Sequence, residues 1–302
     1  MLIAMALSGN LRGALWMLAS VAGATGMTVF VRQLTPELHT SMIAFLRCVV
    51  GLAFLAPLLL KADPAALLRV RRPGLHLARG ALVALALNLG FYAIWKLPVA
   101  TATTLFFLAP VFSTLLAPLM VGEHVGARRW AAVMVGFLGA LVALRPGMAP
   151  IDLGAMAAVG SSLCFAVALL LGKTASAADG PDSVFATTAL LTVALTLPFA
   201  LLEWRLPGQA WVWGGLLLLA AASSLRGYAD IRAFAAGEAS FVAPVSYLRL
   251  PSVALAGWLM FGEAVDGWTW GGGAIVAGAA LFIALRERTP RAARAAPPPL
   301  GG

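Results

Sequence analysis

The chain has 302 residues, 61% of them hydrophobic and only 11% charged. A soluble domain holds about half apolar and about a quarter charged residues, so this composition excludes a water-solvated globule and points to helices in a bilayer. The formal charge of +9 does not mark a nucleic-acid binder, because the basic residues fall in short segments between apolar runs and in a C-terminal tail.

The residues before the first apolar run, Met1 to Asn10, are too short for the charged region and apolar core of a cleavable signal, so that run is read as a helix. Apolar runs of the length a bilayer needs then predict ten helices: Arg12–Val31, Thr40–Leu60, His76–Trp95, Val99–Val121, Arg128–Leu144, Asp152–Gly172, Val184–Glu203, Trp211–Arg232, Ala239–Phe261 and Gly267–Leu285. The tail, residues 289–302, is rich in Arg, Ala and Pro and is expected to be disordered and cytoplasmic. Cys48 and Cys164 both lie inside apolar runs without metal-ligand spacing and are read as buried, inert thiols.

Lys and Arg set the orientation. With a cytoplasmic N-terminus, thirteen basic residues fall in cytoplasmic segments, among them Arg69, Arg71, Arg72, Arg128, Arg129 and Lys173, against four in outer segments, Arg32, Lys96, Arg145 and Arg205. The bias places both termini in the cytoplasm and the protein in a bacterial inner membrane. The other four, Arg47, Arg226, Arg232 and Arg249, fall within predicted helices.

The chain also repeats itself. At an offset of 140 residues, Leu119, Met120, Gly122, Glu123, Val125 and Trp130 meet Leu259, Met260, Gly262, Glu263, Val265 and Trp270 without a gap. At an offset of 141, Gly13, Ala14 and Ser20 meet Gly154, Ala155 and Ser161. Chance supplies matched alanines and leucines, but not a shared Met-x-Gly-Glu-x-Val followed by Trp. Because five helices per repeat is an odd number, the second copy must enter the membrane from the opposite side, the inverted plan of many secondary transporters. The expected fold is therefore an all-α membrane protein with ten transmembrane helices in two inverted five-helix repeats, 1–146 and 150–288.

The stretch ATTLFFLAPVFSTLLAPLMVGEHVGARRWAAVMVGFLGALVALRP from Ala102, and its partner EASFVAPVSYLRLPSVALAGWLMFGEAVDGWTWGGGAIVAGAALFIALRER from Glu238, resemble the ends of the two EamA-type units of the drug/metabolite transporter superfamily. The resemblance covers nearly the whole chain, from Leu11 to Arg288. It implies ten helices in two EamA units and a central cavity lined chiefly by the first, third and fourth helices of each. It also implies transport of a small metabolite such as an amino acid, a nucleotide-derived cofactor, an organic anion or a drug. It does not carry a substrate identity.

Ionisable groups at bilayer depth are expensive, so each needs a reason. Arg249 lies mid-way along the ninth predicted helix, on a stripe with Val242, Val245, Ser246 and Val253. It is read as a cavity arginine for a carboxylate or phosphate, the alternative being a structural ion pair with Asp230. Its repeat image is Ala109, so symmetry does not call for a charge. On the eighth helix Arg226 and Asp230 are four apart, as are Tyr228 and Arg232, and the latter two map onto Asn88 and Tyr92 of the third helix. The expected substrate-binding set is Arg249, Arg232, Tyr228, Asn88, Tyr92, Ser246, Tyr247, Arg226 and Asp230, with Arg232 alternatively snorkelling to the interface. Asp230 is the one carboxylate well inside the apolar runs. It is the candidate for proton coupling, although a partnership with Arg226 would hold its proton off.

Arg47 is read as anchoring a helix end or drawing anions to the mouth, and Glu123 and Glu263 as turn residues. Trp16, Trp95, Phe106 and Phe107 are either ring platforms or packing. Pro110 and Pro251 each remove a backbone hydrogen bond from the fourth and ninth helices and are the expected hinges.

No H-E-x-x-H, Walker-type or G-x-S-x-G motif occurs, so neither an enzyme, a cofactor site, a metal site nor a pump driven directly by ATP is expected. The sequence leads to a secondary transporter working by alternating access. Its substrate would carry a carboxylate or other anionic group: an amino acid, an organic acid or an S-adenosylmethionine-like cofactor. The partners are that small molecule and the lipid bilayer, not nucleic acid; a homodimer is left open. The rival is a membrane scaffold or ligand sensor that moves nothing.

Overall fold

The computed structural model describes residues 9–54, 68–122, 127–144, 152–236, 245–246 and 248–286. Among these, all regular structure is helical: α1 (Gly9–Leu34), α2 (Thr40–Gly51), α3 (Pro73–Lys96), α4 (Val99–Phe106), α5 (Leu108–Val121), α6 (Ala127–Leu144), α7 (Leu153–Asp179), α8 (Pro181–Leu201), α9 (Ala210–Ala236), α10 (Arg249–Phe261) and α11 (Gly267–Arg286). Among the described residues, five helical stretches are long and apolar enough to cross a membrane: Leu11–Leu34, Pro73–Lys96, Val99–Met120, Leu153–Asp179 and Asp182–Leu201. Shorter apolar helices include Thr40–Gly51 and Arg249–Phe261. The expected tail, Tyr247 and Glu123 lie outside the described residues.

Local chemistry sets the ends. Pro73 and Pro181 stand in the first turns of α3 and α8, where a missing N–H costs nothing. Asp152 caps α7 by accepting from the Ala155 amide at 2.8 Å. Gly122 and Gly262 terminate α5 and α10 with φ of 68° and 66°. This left-handed turn explains the glycine of the repeated Gly-Glu pair.

The fourth predicted helix is not continuous. It breaks at Phe107 into α4 and α5. The ninth is interrupted at the corresponding place, where Val245 and Ser246 are helical, Leu248 turns and α10 begins at Arg249. Pro110 and Pro251 are each the third residue of the resumed helix, a first-turn position whose N–H has no intrahelical partner. Each proline thus stands just beyond an interruption and leaves the hydrogen-bond ladder there one donor short. Ser162 of α7 donates to the Leu105 carbonyl at 2.9 Å, just ahead of the break.

The packing follows the repeat. α1 lies along α9, and their images α7 and α3 lie along each other. The contact of α5 with α7 has its image in that of α10 with α1, and α3 with α8 has its image in α9 with α2. α6 and α11, which are images of one another, run antiparallel: Gly136 faces Ala279 and Gly139 faces Val276, two contacts related by the 140-residue offset. Image residues of the repeated motif point outward alike, with Leu119 and Leu259 83% and 66% exposed and Trp130 and Trp270 also exposed. Apolar side chains so placed suit lipid, not water.

A Cβ on Gly139 would stand 2.8 Å from Ile275 and 2.9 Å from Val276. Gly139→Leu should therefore overpack the α6–α11 seam and cost about 1–3 kcal/mol. The readout is a lower melting temperature of the purified protein in detergent; an unchanged melt would show that this seam is not tightly closed.

Candidate functional site

A cavity of about 430 Å³ opens in the centre of the bundle. Its walls come from α1, α3, the α4–α5 junction, α7, α9 and the start of α10, with Arg47 reaching in from α2. The polar lining comprises Arg47, Arg226, Arg249, Asp230 and four serines.

α9 can present its charges here because Gly23 lets it run against α1. A Cβ at Gly23 would meet the Ala222 carbonyl at 2.7 Å and the Arg226 amide at 2.9 Å. One helical turn apart, Arg226 and Asp230 then reach the cavity wall. The Ser20 hydroxyl of α1 donates to Asp230 Oδ1 at 2.5 Å. Arg47 Nε donates to Ser223 Oγ of α9 at 3.0 Å. Arg226 and Arg249 lie near enough to each other and to Asp230 for the three charges to interact. Yet among the described residues the ion pairs closed within 4.0 Å are Arg32–Glu263 and His76–Asp179, not Arg226–Asp230 or Arg249–Asp230. Both intrahelical and interhelical pairings of Asp230 with arginine are replaced by its bond to Ser20. The Nε of Arg249 is buried and has no hydrogen-bond partner among the described residues.

Of the residues singled out by sequence, Arg249, Arg226, Asp230 and Ser246 line the cavity, as do Phe106 and Phe107. Tyr228 and Arg232 sit on another face of α9. Tyr228 is 51% exposed, Arg232 Nε donates to its hydroxyl at 2.8 Å, and the guanidinium lies over the Trp16 ring. Asn88 donates to the Ala84 carbonyl of its own helix, and Tyr92 packs edge-on against Trp95. These four are not brought to the cavity. Ser20, Ser161, Ser162 and Phe165 line it without having been singled out, although the Ser20–Ser161 match in the repeat was a visible signal.

Two further knots tie the halves together. Arg32 of α1 pairs with Glu263, after α10, at 3.0 Å, and donates to the carbonyls of Ile94 and Trp95. Glu263 also accepts from the Val99 amide at the start of α4 at 2.7 Å. Glu263 is thus more than a turn residue. At the other end of α3, His76 is buried, with Nε2 3.0 Å from Asp179 Oδ2 and Nδ1 2.7 Å from Thr187 Oγ1.

A model of the EamA-like transporter family matches residues 11–145 and 152–285. The chain belongs to that family. Among the relatives of this EamA-like protein, a riboflavin transporter of Vibrio cholerae is 32% identical over 92% of this chain and 94% of its own. An S-adenosylmethionine uptake transporter of Rickettsia prowazekii is 28% identical over 94% of this chain and 96% of its own. The "Pseudopaline exporter CntI" of Pseudomonas aeruginosa is 29% identical over 87% and 92%. One solved crystal structure shares the fold, with a TM-score of 0.63 at 18% identity over 91% of this chain and 98% of that one. Family membership makes this EamA protein a membrane transporter and not an enzyme.

The Arg32–Glu263 pair offers a direct check on how the halves are joined. Arg32→Ala and Glu263→Ala should each lower stability by about 1–2 kcal/mol. The double variant should lose less than the sum. Strict additivity in thermal melts would show that the two side chains do not couple.

Proposed function

We propose that this EamA protein is a secondary transporter that moves a small metabolite bearing an anionic group through the central cavity by alternating access. Carboxylates and phosphates are the groups in view, as in an amino acid, an organic acid or an S-adenosylmethionine-like cofactor. The observation that carries the reading is Arg249, a cation on the cavity wall whose buried Nε lacks a hydrogen-bond partner among the described residues. A guanidinium left with an unsatisfied buried Nε in a weakly polar cavity is costly unless an anion completes it. The excess of three lining arginines over one carboxylate supports the same sign of ligand.

In this proposal Arg249 and Arg226 hold the anionic group, Arg47 adds to the local positive field, and Asp230, held by Ser20, offsets part of that field. The volume suits one metabolite, since small-molecule sites span about 300–1,000 Å³. The riboflavin and S-adenosylmethionine transporters among the relatives support a metabolite of that size.

Alternating access is supported by the antiparallel contact of α6 with α11 and by the exchange of helix pairs under the repeat. Two five-span units, 1–146 and 150–288, would lie upside down to one another, giving ten spans with both termini in the cytoplasm of an inner membrane. Pro110 and Pro251, each three residues beyond an interruption at Phe107 or Leu248, are the proposed hinges, because a break in the hydrogen-bond ladder is where a helix bends at least cost.

Replacing Arg249 by Ala in protein reconstituted into liposomes should remove counterflow of labelled anionic substrate while leaving the fold intact by melting. Unchanged flux would refute the assignment. Retained binding with no flux even in the wild-type protein would instead be the mark of a ligand sensor.

A further inference from the structure

The two walls of the cavity are images of each other, and they have diverged in one direction. Ala86 and Arg226, Gly90 and Asp230, and Ala109 and Arg249 are image pairs at the 140-residue offset, and all six line the cavity. The correspondence extends to hydrogen bonding. Ser20 reaches Asp230, while its image Ser161 donates to the Ala86 carbonyl at 2.7 Å and sits beside Gly90. Where α9 and α10 carry charge, α3 and α5 carry Ala or Gly.

The aromatic residues complete the contrast. Phe106, at the α4–α5 junction, is the image of Ser246, and Phe165 of α7 is the image of Ala24 of α1; all four line the cavity. A Cβ on Gly90 would stand 3.7 Å from the tip of the Phe106 ring and 3.0 Å from Ser161 Oγ. The absence of a side chain at Gly90 therefore keeps open the space beside that ring. One wall carries Arg226, Asp230 and Arg249; the facing wall has room and rings. Symmetric walls would accept a ligand in either of two orientations, whereas walls that differ at every charged pair admit only one.

Resting on the anion-transport reading above, we propose that the α3–α5–α7 wall is a subsite for an uncharged planar ring. The substrate class is then a ring-bearing metabolite with an acidic group, held with its ring against Phe106 and Phe165 and its acidic group toward Arg249 and Arg226. Ala109, Gly90 and Ala86 are the specificity-determining positions, because their small size makes the space the ring fills. Rings suit such a site: a flat apolar face gains from stacking on phenylalanine, and aromatic-lined pockets with a few placed polar groups are the usual form of metabolite sites. The orientation is preserved when the halves rock, since Arg226, Asp230 and Arg249 all belong to α9 and α10 whichever side is open.

The test is binding to purified full-length protein, read by thermal shift and titration, with two matched series. One is flavin mononucleotide, riboflavin and inorganic phosphate; the other is S-adenosylmethionine, adenosine and methionine. Each holds a ring with an acidic group, the ring alone and the acidic part alone. In at least one series the composite should bind more tightly than either fragment. Ala109→Phe, which fills the ring space, should weaken the composite by roughly tenfold or more, as a misfit in an apolar pocket does, and leave the acidic fragment within about twofold.

Phe165→Ala removes a 46% exposed ring, so its effect is free of core disruption, and it should weaken the composite and the ring fragment together. Composites that bind no better than the acidic fragments in both series, or indifference to both variants, overturn the ring subsite. That failure is separable from failure of the transport reading: loss of anion binding in Arg249→Ala with no role for the ring sinks only this inference.

Discussion

A guanidinium placed in hydrocarbon costs about 2.5–3.5 kcal/mol even on the mildest insertion scales. This chain places three of them, Arg47, Arg226 and Arg249, around one central space and gives them a single lining carboxylate. That arrangement persists only if the space is shielded from lipid and open to polar company. The rest of the fold meets the first condition. Gly23 draws α9 against α1, Gly136 and Gly139 close the α6–α11 seam, and the long α3–α7 contact shuts the opposite flank. Apolar residues such as Leu119 and Leu259 are turned outward, where lipid and not water surrounds them.

Duplication explains how such a site arises and why it is lopsided. Two copies of one EamA unit enclose a cavity whose walls are built from image positions. At the image pairs Ala86–Arg226, Gly90–Asp230 and Ala109–Arg249, charge on one copy with small residues on the other makes one side polar and the other apolar. Asp230 shows the economy of this. Ser20 and Ser161 occupy image positions and both turn toward the neighbouring helix, but only Ser20 finds a carboxylate; Ser161 takes a backbone carbonyl instead.

Much of the fold was legible in the sequence because membrane helices announce themselves by unbroken apolar length. The predicted Arg128–Leu144 and Gly267–Leu285 differ from α6 and α11 by a single residue at one end. Less legible were the interruptions of the fourth and ninth helices, since a proline signals a lost hydrogen bond but not whether the helix bends or restarts. Of the site, Arg249, Arg226, Asp230 and Ser246 were readable from charge and spacing. Tyr228 and Arg232 were grouped with them although two residues on a helix are separated by about 200°. A stripe that carries Arg226 and Asp230 into the cavity must carry Tyr228 and Arg232 elsewhere, and the same turn removes Asn88 and Tyr92 from Ala86 and Gly90. The buried His76–Asp179 contact and the Arg32–Glu263 pair join residues more than a hundred positions apart, which no local pattern encodes.

Alternating access, as proposed, requires the two halves to face opposite ways across the bilayer with the arginine-bearing cavity between them. The direct measurement is labelling of single cysteines introduced at Arg71 and at Asp266, both exposed positions, in a background with Cys48 and Cys164 replaced. With a membrane-impermeant thiol reagent applied to intact cells, the cysteine at position 266 should react and the one at position 71 should react only after the membrane is opened. Reaction of both, or of neither, from the same side would place the two loops on one face and contradict the inverted arrangement.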